Sequence, residues 1–112
     1  MQISKQIQGP VTVLSIRDAI VEEELGVLDD EIQECFEVGC ARIVLDIRGV
    51  PFIDSAGLER IQKLMTELGR RRGDLRIAAA NDVCKDIFLS TRMDSFVQVA
   101  EDTDSAVRSL TG

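Results

Sequence analysis

The chain has 112 residues with 13 basic and 20 acidic side chains, no histidine and a net charge of −7. This length predicts one domain over residues 1–112, and the lack of a long apolar run or apolar leader predicts a cytoplasmic protein without membrane insertion. The missing histidine excludes histidine-based catalysis and histidine zinc sites, and the acidic balance opposes nucleic-acid binding, so composition favours a binding module over an enzyme, with no metal and no cofactor.

The first predicted elements are two strands. Short, β-branched runs at residues 3–8 and 11–16 flank the pair Gly9-Pro10, which is typical of a turn. The two runs together therefore predict a β-hairpin.

A helix and a central strand are predicted next. Apolar residues recur every three or four positions over 21–36, which predicts an amphipathic helix, and Gly39 is placed to end it in a left-handed turn. The compact apolar run at 42–47 is typical of a strand buried on both faces. Asp46 lies within this run and needs hydrogen-bond partners, because a buried carboxylate without them is costly.

The second half of the chain alternates helices and strands. A loop at 49–58 leads into a helix that Gly73 ends, a strand follows at 75–79, and Asn81 or Asp82 begins a third helix. A last strand is predicted at 96–99 and a last helix at 102–110. The side chains predicted to face the core are Leu58, Ile61, Met65 and Leu68 in the second helix and Val83, Ile87 and Phe88 in the third.

The resulting order is β-β-α-β-α-β-α-β-α. Strands alternating with helices imply a mostly parallel sheet, to which the opening hairpin adds an antiparallel pair. The predicted fold class is therefore α/β, a sandwich of about four helices on a mixed five-stranded sheet.

Charge is unevenly distributed along this order. Residues 18–37 contain nine acids and no base, whereas residues 59–76 contain six bases and three acids. Two solvated helix faces would explain both segments, and so would an acidic surface that attracts a basic partner. The three cysteines, Cys35, Cys40 and Cys84, form no CxxC pair, which argues against a disulfide framework.

One heptapeptide carries a functional signal, Phe52-Ile53-Asp54-Ser55-Ala56-Gly57-Leu58. It places a hydroxyl at the start of a helix, where backbone N–H groups lack internal partners and favour anions. A phosphate on Ser55 would meet these donors. Asp54 and Ser55 are also ordinary helix-capping residues, so a cap without function and a phosphorylation site both remain open on the residues alone.

The heptapeptide resembles the signature of the STAS domain, the fold of bacterial anti-sigma factor antagonists. The strand at 43–47, the turn and strand at 73–77 and the final short helix are also similar to that family. The resemblance implies a STAS-like sandwich. It also implies that Ser55 is phosphorylated by a partner serine kinase, itself the anti-sigma factor, and that a serine phosphatase removes the phosphate. The unphosphorylated domain would bind the kinase through Asp54, Ala56, Gly57 and Leu58.

Two segments depart from the family pattern. Many members have Gly-x-Leu/Ile-Asp after the second strand, where residues 17–21 here contain no glycine, and Arg92 replaces the glycine of a Thr-Gly-Leu sequence. A second role is therefore open, that of a STAS scaffold or subunit in a stressosome-like or transport-associated complex that never cycles through phosphate. Intrinsic catalysis lacks support, because Ser55 has no histidine base and Lys63 lies two turns along the helix.

Overall fold

The computed structural model describes residues 1–111, so Gly112, the last residue of the predicted domain, lies outside the described residues. The described residues form five strands, four helices and two 3-10 turns. In chain order these are β1 (Gln2–Gln8), β2 (Val11–Arg17), a 3-10 turn (Glu22–Glu24), α1 (Leu25–Glu37), β3 (Arg42–Gly49), α2 (Ser55–Arg70), β4 (Asp74–Ala78), α3 (Asp82–Ser90), a second 3-10 turn (Met93–Ser95), β5 (Gln98–Ala100) and α4 (Thr103–Thr111). The predicted order of strands and helices is confirmed.

The five strands form one mixed sheet in the order β1-β2-β3-β4-β5. The hairpin strands β1 and β2 are antiparallel, with Gln8 opposite Val11, and the pairs β2–β3, β3–β4 and β4–β5 are parallel. Because parallel strands end at the same edge of a sheet, the loops after β2, β3 and β4 meet at one edge. This edge is where the signature heptapeptide begins.

Both faces of the sheet are covered. Leu14, Leu45 and Ile77 of the central strands share a core with α1, α2 and α3. The opposite face buries a smaller cluster that includes Val13 and Val44 against α4. Each fully buried aliphatic side chain contributes about 1.5–3 kcal/mol to the free energy of unfolding. The alternation of the two faces along β3 explains why the sequence there is a nearly continuous apolar run. None of the described helices is long and apolar enough to cross a membrane.

The polar residue within β3 is satisfied, as the sequence requires. One carboxylate oxygen of Asp46 accepts a hydrogen bond from the Ser15 hydroxyl at 3.1 Å, and the other accepts from the Arg48 backbone N–H at 3.1 Å. No buried side-chain nitrogen or oxygen lacks a partner within residues 1–111.

The inward-facing residues of two helices differ from the prediction. Asn81 caps α3 by accepting from the Cys84 N–H at 2.8 Å. Cys84 and Phe88, four residues apart on one helix face, pack in the core, and Val83 is exposed. The prediction for Val83 is therefore wrong. In α2, Leu64 is buried, and Leu58 and Met65 are only half-buried at the border of the core.

The last strand is also shifted. It spans Gln98–Ala100 rather than 96–99, because Phe96 ends the second 3-10 turn, donates its N–H to the Met93 carbonyl and is exposed. Val97 is buried but belongs to the connection between turn and strand.

Two glycines end helices for different reasons. Gly39 adopts φ +78° after α1, as predicted, and this left-handed conformation favours glycine. After α2 the left-handed residue is Arg72 at φ +60°, and Gly73 is required by space, since a Cβ there would lie 1.8 Å from the Ala41 carbonyl oxygen. Helix α2 itself ends at Arg70.

The thiols provide a test of this core. Cys35 and Cys84 are buried and Cys40 is half-buried. Burial raises the pKa of the Cys35 thiol from 9.0 to about 11 and also raises the pKa of Cys84. Because the thiolate is the reactive form, we expect a thiol-labelling reagent at about pH 8 to modify Cys40 first, and Cys35 and Cys84 only on unfolding.

The same shift predicts a pH dependence. A thiol whose pKa is raised by folding stabilises the fold fully below pH 9.0, and this contribution to the free energy of unfolding is lost as the pH rises toward about 11.

In the labelling experiment, modification of Cys84 in the folded protein at a rate equal to that of Cys40 would contradict the packing described above.

Candidate functional site

Ser55 is the first residue of α2 and its side chain is exposed. It lies at the edge where the parallel strands end, directly after the loop that leaves β3. A hydroxyl in this place is accessible to a modifying enzyme, and at a helix start its own N–H and that of Ala56 have no intrahelical acceptor. The structure therefore places a reachable hydroxyl beside free backbone donors.

Asp54 holds this helix start in place with both carboxylate oxygens. Oδ1 accepts from the Gly57 N–H at 2.8 Å and caps α2, while Oδ2 accepts from the Glu22 N–H at 3.1 Å. The second bond crosses to the 3-10 turn before α1. Asp54 thus explains the cap that the sequence predicts and adds a link that the sequence does not reveal. Being half-buried, it presents only part of its surface to a partner.

Gly57 serves a close approach within the chain. A short parallel bridge joins Ile20 to Ile53, and the Asp54 N–H donates to the Ile20 carbonyl at 3.1 Å. A Cβ on Gly57 would lie 2.5 Å from the Ile20 carbonyl oxygen. Gly57 is buried for this reason. Its contribution to any contact surface is therefore to let α2 start close to Ile20, rather than to offer surface of its own.

The other two predicted contact residues are half-buried. Ala56 and Leu58 both pack against the main core. Ala56 also borders an open cleft of about 520 Å³ between α1 and α2, together with Gly26 and Glu22. The small residues Ala56 and Gly26 face each other across this cleft, which Ser55 itself does not line.

Two apolar side chains near this edge are exposed although the sequence did not predict it. Phe52 in the loop is 47% exposed and Val83 in the first turn of α3 is 52% exposed. The Asn81 amide donates to the carbonyls of Val50 at 3.1 Å and Pro51 at 3.5 Å, which holds the start of α3 against the same loop. The sequence contains no decisive signal for Val83, because the pairs Val83–Ile87 and Cys84–Phe88 have the same spacing of four residues and either pair could face the core.

The acidic segment borders the site through the residues between β2 and α1. Asp18 and Glu24 face the N-terminal amino group at 3.8 and 3.0 Å, whereas Glu22 and Glu23 have no ion-pair partner among residues 1–111. Asp18 holds φ +81°, and Arg92 holds φ +60° at the other departure from the family pattern. The backbone at Arg92 thus keeps a conformation that suits the glycine it replaces.

No group of three histidine, cysteine, aspartate or glutamate residues is placed to hold a metal ion anywhere in the described part of the chain. The site consists of a hydroxyl, a capping carboxylate, backbone donors and a rim of exposed apolar side chains. These groups suit modification and docking.

Comparison with known families shows to which protein family the chain belongs. The model of the STAS domain matches residues 2–106. The chain belongs to the STAS domain family. This confirms the family indicated by the heptapeptide, whose residues lie within the match. A comparison with curated protein sequences finds no significant match.

Solved structures share the STAS fold. A candidate anti-sigma factor antagonist from Thermotoga maritima superposes with a TM-score of 0.92 at 18% identity, covering 98% of this chain and 95% of that one. The Bacillus cell fate determinant SpoIIAA in its phosphorylated form gives 0.72 at 14% identity, covering 96% and 98%. A sulfate transporter family protein from Wolinella succinogenes gives 0.77 at 18% identity, covering 96% and 89%. These likenesses confirm the α/β sandwich.

The close approach at Gly57 is testable with a matched pair of substitutions in one helix. We expect Gly57→Ala to lower the free energy of unfolding by about 1–3 kcal/mol, because the new methyl group would collide with the Ile20 carbonyl. Gly69→Ala meets nothing within 4 Å and should raise it by about 0.5–1 kcal/mol, since alanine is the better helix former.

Urea denaturation of both variants measures these two changes. The account of Gly57 is wrong if Gly57→Ala is as stable as Gly69→Ala.

Proposed function

We propose that this STAS domain, taken as one unit over residues 1–112, is a phosphorylation-switched anti-sigma factor antagonist in the cytoplasm. With Ser55 unphosphorylated it binds an anti-sigma factor that is also a serine kinase. The kinase phosphorylates Ser55 and ends the interaction, and a serine phosphatase restores it. The domain itself performs no catalysis in this cycle.

The observation that carries the proposal is the exposed Ser55 hydroxyl at the first position of α2 in a chain of this family. The surrounding bonds support it, since Asp54 caps the helix through Gly57 and leaves the earlier N–H groups free for a phosphate. A solved structure of a phosphorylated member with this fold is consistent with the same chemistry.

The switch is proposed to be electrostatic. A phosphate adds about −1.5 to −2 charges at neutral pH. It would join the carboxylates of Asp54 and Glu22, and that of Glu59 one helical turn after Ser55. Burying such a group in an interface costs several kcal/mol unless a cation meets it.

The docking surface follows from the exposed groups at this edge. The apolar side chains of Phe52 and Val83 would contribute buried area, and the carboxylates of Glu22 and Glu23 would attract a basic partner. Asp54, Ala56 and Leu58 would supply contacts close to Ser55, with Gly57 beneath them.

The substitution Ser55→Asp places a permanent negative charge at the candidate phosphorylation site. We expect it to weaken binding to the cognate anti-sigma factor at least about tenfold, which is about 1.4 kcal/mol, because a fixed negative charge then lies in the interface. Ser4→Asp is the matched control, since Ser4 is an exposed serine on the edge strand β1 and receives the same charge. Calorimetric titration measures the affinity of both variants.

Circular dichroism and melting curves should remain nearly unchanged for both variants, because neither serine is buried. Equal affinity of Ser55→Asp and the unmodified protein would reject the switch. Phosphate incorporation by the kinase into Ser55→Ala at the unmodified rate would reject Ser55 as its target.

A second role is that of a non-cycling subunit in a larger regulatory or transport-associated complex. The same fold in a sulfate transporter family protein supports this second role. Purification from the source cell separates the two roles: a stable stoichiometric complex without any phosphorylated fraction supports the subunit, and a mixture of phosphorylated and free forms supports the switch.

A further inference from the structure

The end of α1 brings two cysteines together. The Cys40 N–H donates to the Cys35 carbonyl at 2.9 Å, the Gly39 N–H donates to the Phe36 carbonyl at 3.1 Å, and Gly39 has φ +78°. These bonds define a Schellman motif, in which the chain reverses over the last helical turn. In this motif the side chains of the two outer residues, here Cys35 and Cys40, usually contact each other.

Burial and charge agree with this placement. Cys35 is 1% exposed, and the half-buried Cys40 packs against the same core. Burial is the main cause that raises the pKa of the Cys35 thiol, and the charge of Cys40 adds to it. The third thiol, Cys84, belongs to α3 and is fully buried.

The surroundings of Cys40 make it the accessible thiol of the pair. Its sulfur lies 3.0 Å from the Thr12 hydroxyl and donates to the Arg42 carbonyl at 3.5 Å. Thr12 is the single buried polar residue among those described, so the Cys40 sulfur satisfies a hydroxyl inside the core. Cys40 is half-buried, whereas the other two described cysteines are buried.

We propose that Cys35 and Cys40 form a reversible intramolecular disulfide across this turn, with a small-molecule disulfide of the glutathione type as oxidant. The Cys40 thiolate attacks the oxidant, forms a mixed disulfide and releases one thiol. The Cys35 thiol then gives up its proton and attacks the Cys40 sulfur, which releases the second thiol. The protein loses two hydrogens and the oxidant gains both.

The bond would act at the end of the molecule opposite to the candidate phosphorylation site. Cys40 precedes β3, whereas Ser55 follows it, so the two modifications involve different edges of the sheet. The disulfide would fasten the last turn of the acidic helix α1 to the start of β3 and remove the thiol hydrogen that Cys40 donates to Arg42. This inference does not depend on the proposed function.

The test equilibrates the full chain with oxidised and reduced glutathione and identifies the products by mass spectrometry. We expect loss of two hydrogens with Cys35 linked to Cys40, in the unmodified protein and in Cys84→Ala alike. Cys35→Ser should stop at a glutathione adduct on Cys40, and Cys40→Ser should not react while folded. A persistent glutathione adduct, an intermolecular dimer or no reaction of the unmodified protein would each overturn the proposal.

A third variant tests whether the turn itself creates the pair. Gly39→Ala strains the left-handed position but leaves both thiols in place. A Cβ disfavours that backbone conformation, so we expect the reduced variant to leave the turn and the equilibrium constant for disulfide closure to fall about fivefold. An unchanged constant in Gly39→Ala would show that the turn does not bring the thiols together.

Discussion

The arrangement of the loops around Ser55 depends on the contacts that hold the start of α2. One oxygen of Asp54 caps the helix and the other receives the Glu22 N–H, so a single carboxylate joins the loop after β3 to the loop after β2. Gly57 permits the two segments to approach closely enough for this bond, because any side chain there would strike Ile20. Together Asp54 and Gly57 fix where Ser55 lies on the surface of the domain and in which direction its side chain points.

In this arrangement the residue that would be phosphorylated is not one of the residues that hold the start of α2. The held residues, Asp54 and Gly57, are half-buried or buried, whereas Ser55 between them is exposed. A phosphate could therefore be added without breaking any of the bonds that position the helix. In the proposed switch, surface charge is therefore the property that changes, which would control docking locally.

The sequence was sufficient for the order of elements, because the strands are short apolar, β-branched runs and the helices carry apolar residues at every third or fourth position. It was also sufficient for the family, since the heptapeptide is local. It failed where partners distant in sequence decide. The link from Asp54 to Glu22 spans 32 positions. Val83 is exposed because its neighbour Cys84 packs inward, where the thiol donates to the Val50 carbonyl 34 positions away. The position of β5 depended on Phe96 ending a 3-10 turn, which periodicity does not reveal.

The most direct measurement compares backbone amide spectra of the isotope-labelled protein before and after complete phosphorylation of Ser55. The account predicts shift changes limited to the start of α2 and to the segment from Ile20 to Glu22 that Asp54 and Gly57 contact. Changes spread over α4 and β5 would contradict it, because they would show that the phosphate acts by rearranging the fold.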